Sequence, residues 1–435
     1  DRPVMTELLV CTTSDFERVQ WTVRTYDRYN KVTGIYASDG TAETQSWGAH
    51  CCGMESRVTK EGKEIFYGYD SDDRLISETR AGVGEIPDLT RYYELDPAGR
   101  RLSTTLFSDG MTLMISSNAY DPAGRILSQT DAAGVETQYT YENFGRVRKT
   151  IRTGLTNVVV HYPDGRMHYT EENGVRRLTY DYGVDAEGRR WTARYEGPEG
   201  AGSPAVTRTF IDSLDRIVKT ENPAFGGGVV NIDHVYDAAG HLIETVQSSG
   251  PDTLYAYNDQ GDREVSALDG NDNGVIDYNA DRITSNRTVY TFEGGEWYRI
   301  REQYAFPEDS GSDAVLVSRD GERLTGLGQT GALGVLAEEA FVTDAFGSET
   351  VRRTWIDAAD KTVTRVADGP ESTQGVVSVT VNGLLMEQTS RSGGTVEYDY
   401  DPLERRIETR QESAGGSRVT GQAITYNSLG QVATV

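Results

Sequence analysis

The sequence predicts an all-β protein built as an array of antiparallel β-hairpins, and three observations support that fold class. Short turn signatures rich in Asp, Gly and Pro recur along the 435 residues, separated by segments of strand length. Residues 135–141 alternate between two chemically different faces. Hydrophobic residues make up only 37%, and there are 47 Gly, 12 Pro, 25 Tyr and 10 Phe. Such a composition suits a sheet with two partly solvated faces better than a thick globular core.

The stretch from Tyr120 to Arg146 shows the pattern most clearly. The sequence DPAG at 121–124 has the residues that a type I turn prefers, and DAAG at 131–134 repeats the signature ten residues later. Between 135 and 141, Val, Thr and two Tyr share one face, whereas Glu, Gln and Thr share the other. The stretch therefore predicts one hairpin and the start of the next, with a tyrosine-bearing face and a polar face.

The same signature recurs with conservative replacements at its Tyr and Asp positions. Its copies begin at Tyr26-Asp27, Tyr69-Asp70, Leu95-Asp96, Tyr120-Asp121, Tyr141-Glu142, Val184-Asp185, Ile211-Asp212, Tyr236-Asp237, Tyr257-Asn258, Thr343-Asp344, Tyr400-Asp401 and Tyr426-Asn427. The intervals between copies nearly repeat themselves, in one block of 115 residues from Tyr26 and a second of 116 residues that ends at Tyr257. This spacing predicts a higher-order repeat of four to five hairpins, with a degenerate extra turn at 162–166. The alternative is a chance combination of common repeat lengths.

The motif Tyr-Asp-x-x-Gly-Arg followed by a strand resembles the tyrosine-aspartate (YD, or RHS) repeat family. The residues that carry the motif include Tyr120, Asp121, Gly124, Arg125, Tyr236, Asp237, Gly240, Tyr400 and Asp401. The resemblance implies strands that spiral into a hollow β-shell or tube. In bacterial Rhs proteins and insecticidal toxin-complex C subunits the shell holds a C-terminal toxin, and in teneurins a similar shell serves in adhesion. The chain departs from the toxin-holding relatives because no core block that would end the array is recognisable, and Glu404 stands where a glycine is expected.

Turn spacing and composition divide the chain into four predicted segments. Residues 1–66 hold N-terminal repeats and a cysteine doublet, and residues 67–263 form the regular array. Residues 264–290 are an insertion with an acidic loop, and residues 291–435 hold divergent repeats. Since both ends of the sequence fall within repeat-like stretches, we expect the chain to be cut from a longer one.

The insertion contains the sequence DGNDNGVIDYNAD at 269–281, which resembles an EF-hand or dockerin-type calcium loop. Hard oxygen ligands alternate in it so that they can converge on one cation, and a glycine at the sixth position permits the bend. The predicted ligands are Asp269, Asn271, Asn273, Asp277, Asp281 and the carbonyl of Val275. The twelfth position is Ala280, so Asp281 has to supply the last carboxylate. The alternative is an acidic hairpin loop that binds no specific ion.

The three cysteines, Cys11, Cys51 and Cys52, lack the spacing of a zinc site. In an exported protein Cys11 is predicted to pair with one member of the doublet across neighbouring hairpins. Closing a loop of about 40 residues would stabilise the fold by roughly 3–4 kcal/mol in the chain-entropy model. A vicinal Cys51–Cys52 disulfide and a soft-metal site that includes His50 are the alternatives.

Charge and motif content exclude several kinds of partner and activity. The net charge of −25 and the pI of about 4.6 make DNA and anionic membranes poor partners. No stretch approaches the ~20 apolar residues of a membrane span. The five histidines are scattered, and there is no Gly-x-Ser-x-Gly motif or phosphate loop. We therefore expect a protein that is not an enzyme.

Two function classes remain open. The sequence favours a non-enzymatic structural scaffold, secreted or on the cell surface, that is adhesive or self-assembles with other copies into a tube or filament. The near-regular block spacing and the missing core block support this interpretation. The alternative is part of a toxin-encapsulating shell of the Rhs or toxin-complex type, with an enclosed polypeptide as its partner.

Overall fold

The computed structural model describes residues 4–11, 15–48, 53–197, 206–306, 313–369 and 375–435, and β-strands dominate all of these ranges. The elements in chain order are β1 (Met5–Cys11), β2 (Phe16–Tyr26), β3 (Val32–Ala37), β4 (Ala42–Trp47), β5 (Met54–Val58), β6 (Glu64–Tyr69), β7 (Leu75–Arg80), β8 (Leu89–Leu95), β9 (Arg101–Ser108), β10 (Met111–Tyr120), β11 (Ile126–Asp131), β12 (Glu136–Glu142), a 3-10 helix (Asn143–Gly145), β13 (Val147–Arg152), β14 (Leu155–His161), β15 (Met167–Glu172), β16 (Val175–Val184), β17 (Arg190–Glu196), β18 (Val206–Ile211), β19 (Ile217–Pro223), β20 (Val229–Tyr236), β21 (Leu242–Gln247), β22 (Thr253–Tyr257), β23 (Arg263–Leu268), β24 (Arg282–Glu293), β25 (Glu296–Phe306), β26 (Val315–Arg323), β27 (Thr330–Gly331), β28 (Gly334–Asp344), β29 (Glu349–Asp357), β30 (Thr362–Asp368), β31 (Val376–Val381), β32 (Leu384–Thr389), β33 (Thr395–Tyr400), β34 (Arg406–Glu412), β35 (Arg418–Ala423), β36 (Thr425–Tyr426) and β37 (Val432–Thr434).

Thirty-five of these strands form one continuous antiparallel sheet. Strands pair with their neighbours in the sequence, as β11 does with β10 and β12, and most connections are tight turns. Among the strands of the described ranges, β36 and β37 alone form a separate two-stranded sheet. The predicted array of antiparallel hairpins is therefore confirmed.

The sheet is a single layer rather than a sandwich. The chain exposes 25,039 Å², whereas a compact globular protein of 47.9 kDa exposes about 16,000 Å². Strand β12 shows the expected two faces, since Thr137 is buried and Tyr139 and Tyr141 are half-buried, while the residues between them are exposed. The prediction of a tyrosine-bearing face and a polar face in this strand is confirmed.

Antiparallel pairing places successive turns on opposite edges of the sheet. We call one of them the Tyr-Asp edge, and the described turns that it carries in β2–β23 are 27–31, 70–74, 96–100, 121–125, 143–146, the predicted extra turn at 162–166, 185–189, 212–216, 237–241 and 258–262. The other, called the opposite edge, carries the turns 37–41, 59–63, 81–88, 109–110, 131–135, 153–154, 173–174, 224–228 and 248–252. The same alternation places the turns 357–361, 382–383, 401–405 and 427–431 of later strands on the Tyr-Asp edge.

The sheet coils into a spiral whose second revolution lies on the first. Lys361 Nζ donates to the Gly82 carbonyl at 3.0 Å, across 279 positions of the sequence. Asn382 Nδ2 donates to the Ala81 carbonyl at 3.0 Å across 301 positions. Further along, Gln431 Nε2 donates to the carbonyl of Ala133 at 3.4 Å across 298 positions. One revolution therefore takes about 300 residues, and the twist that strands impose on a sheet lets a single layer coil in this way.

The predicted block repeat corresponds to strands but not to revolutions. Tyr26 and Tyr257 end β2 and β22, and Tyr141 is the last residue but one of β12, so each block of 115 or 116 residues supplies ten strands, or five hairpins. A revolution needs more than two such blocks.

One sheet runs through all four predicted segments, whose boundaries stay a prediction. The loop 269–281 connects β23 to β24. In the described part of the chain, no helix has the length and apolar character needed to cross a membrane.

Candidate functional site: the turn ladder and the seam

Most of the turns on the Tyr-Asp edge are fixed by an aspartate at their first position, as the turn at 121–125 shows. Asp121 Oδ1 accepts hydrogen bonds from the backbone N–H of Ala123 and Arg125, at 2.9 and 2.8 Å. Asp121 Oδ2 accepts from Nε of Arg125 at 2.7 Å, so one carboxylate holds both the backbone and the side chain of the turn. These bonds, led by the backbone bond from Arg125, lower the pKa of Asp121. Gly124 closes the turn at a φ of 84°, a conformation that glycine adopts without strain.

The two bonds that the arginine donates to the aspartate, from its backbone N–H and from its Nε, recur along the Tyr-Asp edge. They are present at Asp70–Arg74, Asp96–Arg100, Asp185–Arg189, Asp212–Arg216 and Asp401–Arg405. At Asp237 the partner is His241, whose Nδ1 lies 3.1 Å from Asp237 Oδ2. Where glycine is absent from the fourth position, Asp73, Asp215 or Glu404 takes the left-handed conformation instead, with φ of 58–63°.

Each arginine also connects its own turn to the next repeat. The Arg125 guanidinium lies 4.5 Å from the centre of the Tyr141 ring, and the Tyr141 hydroxyl donates to the Ile126 carbonyl at 2.9 Å. The pair of Arg100 and Tyr120 repeats this arrangement at 4.8 Å. Cation–π contact and hydrogen bond thus tie successive hairpins together on one face. We call this chain of contacts the turn ladder.

The other predicted turn residues take the same places in the ladder. Tyr236 lies under the Arg216 guanidinium at 4.6 Å and donates to the carbonyl of Ile217 at 2.8 Å. Tyr400 donates to the carbonyl of Leu385 at 2.8 Å. Gly240 closes its turn at a φ of 94°. These residues hold successive hairpins together.

Two copies of the signature lie outside the ladder. The longer side chain of Glu142 pairs with Lys149 at 2.6 Å instead of closing its own turn, which contains the 3-10 helix. Asp344 does close a turn by accepting from the N–H of Phe346 and Ser348, both at 2.9 Å. That turn lies on the opposite edge, because five successive antiparallel pairings lead from β22 to β28, so these two strands run in opposite directions. Sequence spacing alone missed this change of edge.

The contact between the two revolutions, which we call the seam, combines polar bonds with close backbone approach. Arg80 forms an ion pair with Glu404, and Lys60 Nζ lies 3.7 Å from Glu338 Oε1. At Gly62 an added Cβ would lie 1.9 Å from the carbonyl oxygen of Ala358, so only glycine fits. The Tyr-Asp edge of the second revolution thus lies on the opposite edge of the first.

At β1 and β2, the seam is formed by apolar packing. Val10 and Val19 from β1 and β2 form a buried cluster with Trp297 and Leu324 of the second revolution. A cleft of about 400 Å³ lies between the two revolutions and is lined by Trp21 and Asp39 from the first revolution and by Arg323 from the second. Arg323 pairs with Glu296 at 2.9 Å. Sequence reasoning missed the seam residues, although the Asn-Gly pair at 382–383 was a visible hairpin signal.

The predicted calcium loop is closed by its own carboxylates. Asp269 accepts from the N–H of Asn273 at 3.2 Å and of Gly274 at 2.7 Å, and Asp281 accepts from the N–H of Gly270 and Asp277 at 2.9 and 2.8 Å. The Asp281 side chain is fully buried. Burial opposes ionisation of Asp269, but the backbone donors outweigh it and lower its pKa.

Metal binding by this loop stays a prediction. Asn273 Oδ1 accepts from the Val275 N–H and Asp277 Oδ1 from the Asn279 N–H, each within the loop, and Asn271 is exposed. In the described ranges of the chain, no three His, Cys, Asp or Glu side chains are grouped so as to hold a metal ion. The oxygen-rich composition still fits a hard cation.

The predicted disulfide also stays a prediction. Cys11 is the exposed last residue of β1. Cys51, Cys52 and His50 lie outside the described residues.

Comparison with known proteins identifies the repeat. The family model of the RHS repeat matches residues 120–167, the stretch that contains the turn at 121–125 and Tyr141. No similarity to a curated protein sequence was detected.

Similar solved structures include the complexes TcdB2–TccC3–Cdc42 (9% identity, TM-score 0.43, 98% of this chain covered) and TcdB2–TccC3 (11%, 0.42 and 97%). Another is the Photorhabdus luminescens Tc holotoxin pore with a mutated TccC3 (8%, 0.21 and 95%). The chain spans 28%, 27% and 30% of the length of these chains. Residues 120–167 are thus an RHS repeat, the YD-repeat type that the turn motif predicts, and the same turn chemistry recurs from Asp70 to Arg405.

Proposed function

We propose that the chain is a structural, non-enzymatic wall segment of an RHS-type shell, and that the wall encloses a polypeptide. The seam carries this proposal, because a sheet whose second revolution is bonded to its first separates an inside from an outside. Both the polar bonds of Lys361 and Asn382 and the close approach at Gly62 serve this closure. An open adhesive ribbon would not need them.

The size of the spiral fits an enclosed chain. About 23 strands lie between Ala81 and Asn382, which are neighbours across the seam. At about 4.8 Å per strand the circumference is about 110 Å, which corresponds to a diameter of about 35 Å. Side chains on the inner face take about 5 Å on each side, since facing sheets pack about 10 Å apart. The remaining width of about 25 Å is enough for an extended polypeptide.

The turn ladder gives such a wall its rigidity. A single-layer sheet has no second layer to pack against, so the contacts between Arg and Tyr of successive repeats replace part of a core. The acidic surface and the family resemblance support an exported protein, and the enclosed polypeptide is proposed by analogy with YD-repeat shells that hold toxins.

Chemical cross-linking tests the closed wall. The zero-length reagent EDC joins lysine amines to nearby carboxylates, so it should link Lys60 to Glu338, whose side chains are 40% and 62% exposed. We expect mass spectrometry to find this link in the monomer fraction. Lys60→Arg keeps the charge but removes the reactive amine, so this variant should lack the link. Lys149 and Glu142, paired at 2.6 Å within one revolution, provide the internal positive control.

A wild-type protein that gives the Lys149–Glu142 link without the Lys60–Glu338 link would refute the closed wall. Cryo-electron microscopy of the protein as its gene encodes it then tests for cargo. Density inside the bore supports the container. An empty bore, or an open ribbon, refutes enclosure and favours the adhesive scaffold.

A further inference from the structure

We propose that a cleft on one face of strands β28–β32 binds an extended acidic polypeptide segment whose carboxylates occupy alternate positions. The cleft has a volume of about 420 Å³, within the range of ligand pockets, and Arg352 and Arg365 line it. It lies inside the sheet, between β26 on one side and β33 on the other, so further strands at either end of the array would leave it open. Both arginines lie on neighbouring strands of one revolution, so the inference goes beyond the closed wall and does not depend on it.

Strand pairing places the two arginines on the same face, above short side chains. Residues that are directly opposite each other in paired strands project from one face. Small residues of this kind are Ala340 and Ala367 opposite Arg352, and Thr354 and Ser378 opposite Arg365. From Ser378 the same face continues through Gln388 to Val396, and Val396 and Tyr400 share one face of β33. The cleft therefore opens on the tyrosine-bearing face.

The protein does not use the charges of these two arginines itself. Arg352 and Arg365 are exposed, and neither forms an ion pair or a side-chain hydrogen bond with a described residue. Arg353, which lies on the other face of β29, shows the contrast, because it pairs with Glu339 at 2.5 Å and with Asp368 at 3.0 Å. Two guanidinium groups of the cleft thus keep their N–H donors available to a ligand.

The charge of the cleft selects an anionic ligand with few charges. Among the described residues that line it, Glu338 carries the one carboxylate, and Lys60 Nζ lies 3.7 Å from Glu338 Oε1. Positive charge is therefore in excess, and a guanidinium pairs well with a carboxylate through parallel N–H···O bonds. A polyanion would be repelled along its length by a protein of net charge −25, whereas a short segment with two acids is repelled much less.

The spacing of the arginines fits alternate residues of an extended chain. Arg352 and Arg365 are diagonal neighbours on β29 and β30, and side chains in such positions lie about 7–8 Å apart. An extended segment rises about 3.4 Å per residue and turns successive side chains to opposite sides, so every second side chain lies about 7 Å further along one side. A segment Glu-x-Glu can place one carboxylate at each arginine, whereas adjacent glutamates project in opposite directions.

Fluorescence anisotropy with labelled peptides tests the inference on the whole chain. The probe is the peptide Gly-Ser-Glu-Ser-Glu-Ser-Gly, and its isomer Gly-Ser-Glu-Glu-Ser-Ser-Gly has the same composition and charge. A third peptide carries Gln in place of both Glu residues. Titration at physiological ionic strength is suitable, because the screening length of about 8 Å suppresses repulsion by distant acidic residues. We expect saturable binding of the alternating peptide and binding of the other two that is weaker by about fivefold or more.

Substitutions of single arginines test the site itself. Arg352→Gln and Arg365→Gln should each weaken binding of the alternating peptide about fivefold, as expected for the loss of one exposed ion pair, and the double variant should weaken it about twenty-fivefold. Arg148→Gln is the matched control, since Arg148 is exposed on the tyrosine-bearing face of β13, opposite Tyr141. This control removes the same charge outside the cleft and should bind the peptide as wild type does.

The inference is overturned if the alternating peptide shows no saturable binding, or if its isomer or the Gln peptide binds equally well. It is also overturned if Arg352→Gln and Arg365→Gln bind as wild type does, or if Arg148→Gln weakens binding to the same extent, since the attraction would then be diffuse. Circular dichroism melting of each variant confirms that its fold is retained. The Lys60–Glu338 cross-link reports on the closed wall separately, so failure of peptide binding is distinguishable from failure of the proposed function.

Discussion

Replacing Asn382 with glycine removes one polar contact of the seam and leaves the backbone of its hairpin unstrained. Asn382 and Gly383 connect β31 to β32 in the left-handed conformation, with φ of 49° and 95°. The Asn382 side chain is 1% exposed, and its Nδ2 donates to the carbonyl of Ala81 on the other revolution. Glycine adopts the same φ freely, so Asn382→Gly isolates the contact across the seam.

The structure sets the expected size of the effect. A lost neutral hydrogen bond costs about 0.5–1.5 kcal/mol, and a buried carbonyl left without its donor costs about 1–3 kcal/mol. The Asn382 Oδ1 atom is buried without a hydrogen-bond partner among the described residues, so its removal relieves part of this cost. We expect Asn382→Gly to lower the free energy of unfolding by about 1–2 kcal/mol. Asn382→Ala adds a left-handed penalty of about 1 kcal/mol.

Urea-induced unfolding followed by far-ultraviolet circular dichroism measures both changes. Asp109 provides the control, because Asp109 and Gly110 form a left-handed hairpin connection like that of Asn382 and Gly383, while the Asp109 side chain is exposed. Asp109→Gly should change the free energy of unfolding by less than about 0.5 kcal/mol, since it removes no buried contact. Equal changes for Asn382→Gly and Asp109→Gly would refute the role assigned to the seam bond.

Three further predictions concern the ladder and the loop. The carboxylates of Asp121, Asp212 and Asp237 have lowered pKa values in the folded state, chiefly because each accepts a backbone hydrogen bond from the residue four positions later. The ionised carboxylates therefore stabilise the folded state fully above their unfolded pKa of about 3.8, and this stabilisation is lost as the pH falls through their folded pKa values. The melting temperature should therefore hold from pH 7 to about 5 and fall below about pH 4, and a melting temperature that is unchanged at about pH 2.5 would contradict this origin. Tyr141→Phe should cost about 1 kcal/mol in urea unfolding, because it removes the bond to the Ile126 carbonyl but keeps the ring under Arg125; Tyr139→Phe, on the same face, is the control and should be nearly neutral. If the loop binds calcium as its sequence predicts, millimolar calcium chloride should raise the melting temperature of wild type but not of Asp277→Asn, and equal melting curves with and without calcium would rule the ion out.

The turn chemistry was predictable because it acts within five residues. Asp121 reaches only as far as Arg125, and every copy of the ladder from Asp70 to Asp401 uses the same short reach. The two faces of β12 follow in the same way from the two-residue period of a strand. Hairpins, faces and ladder aspartates could therefore be assigned from sequence.

Assignment by signature failed where the deciding contact lay outside the turn. Glu142 matches the motif, but its longer side chain reaches Lys149 on the neighbouring strand instead. Asp344 closes a turn of the expected kind, but this turn lies on the opposite edge. The number of antiparallel pairings that precede β28 decides the direction of that strand, and hence the edge at which it ends. Neither the side-chain reach nor the strand count is visible in a five-residue pattern.

The sequence by itself determined that the chain is an array of antiparallel hairpins with tyrosine-bearing faces, since local turn preference and strand periodicity suffice for both. Only the tertiary structure decided that the array closes, with Lys361 and Asn382 bonded to a turn that precedes them by about 300 residues. That contact depends on curvature accumulated over about 23 strands, each adding a small twist that no local motif encodes. For the same reason, Leu403 in the turn at 401–405 and Leu214 in the turn at 212–216 occupy equivalent positions, yet Leu403 lies where the second revolution meets the first and is buried, whereas Leu214 is exposed.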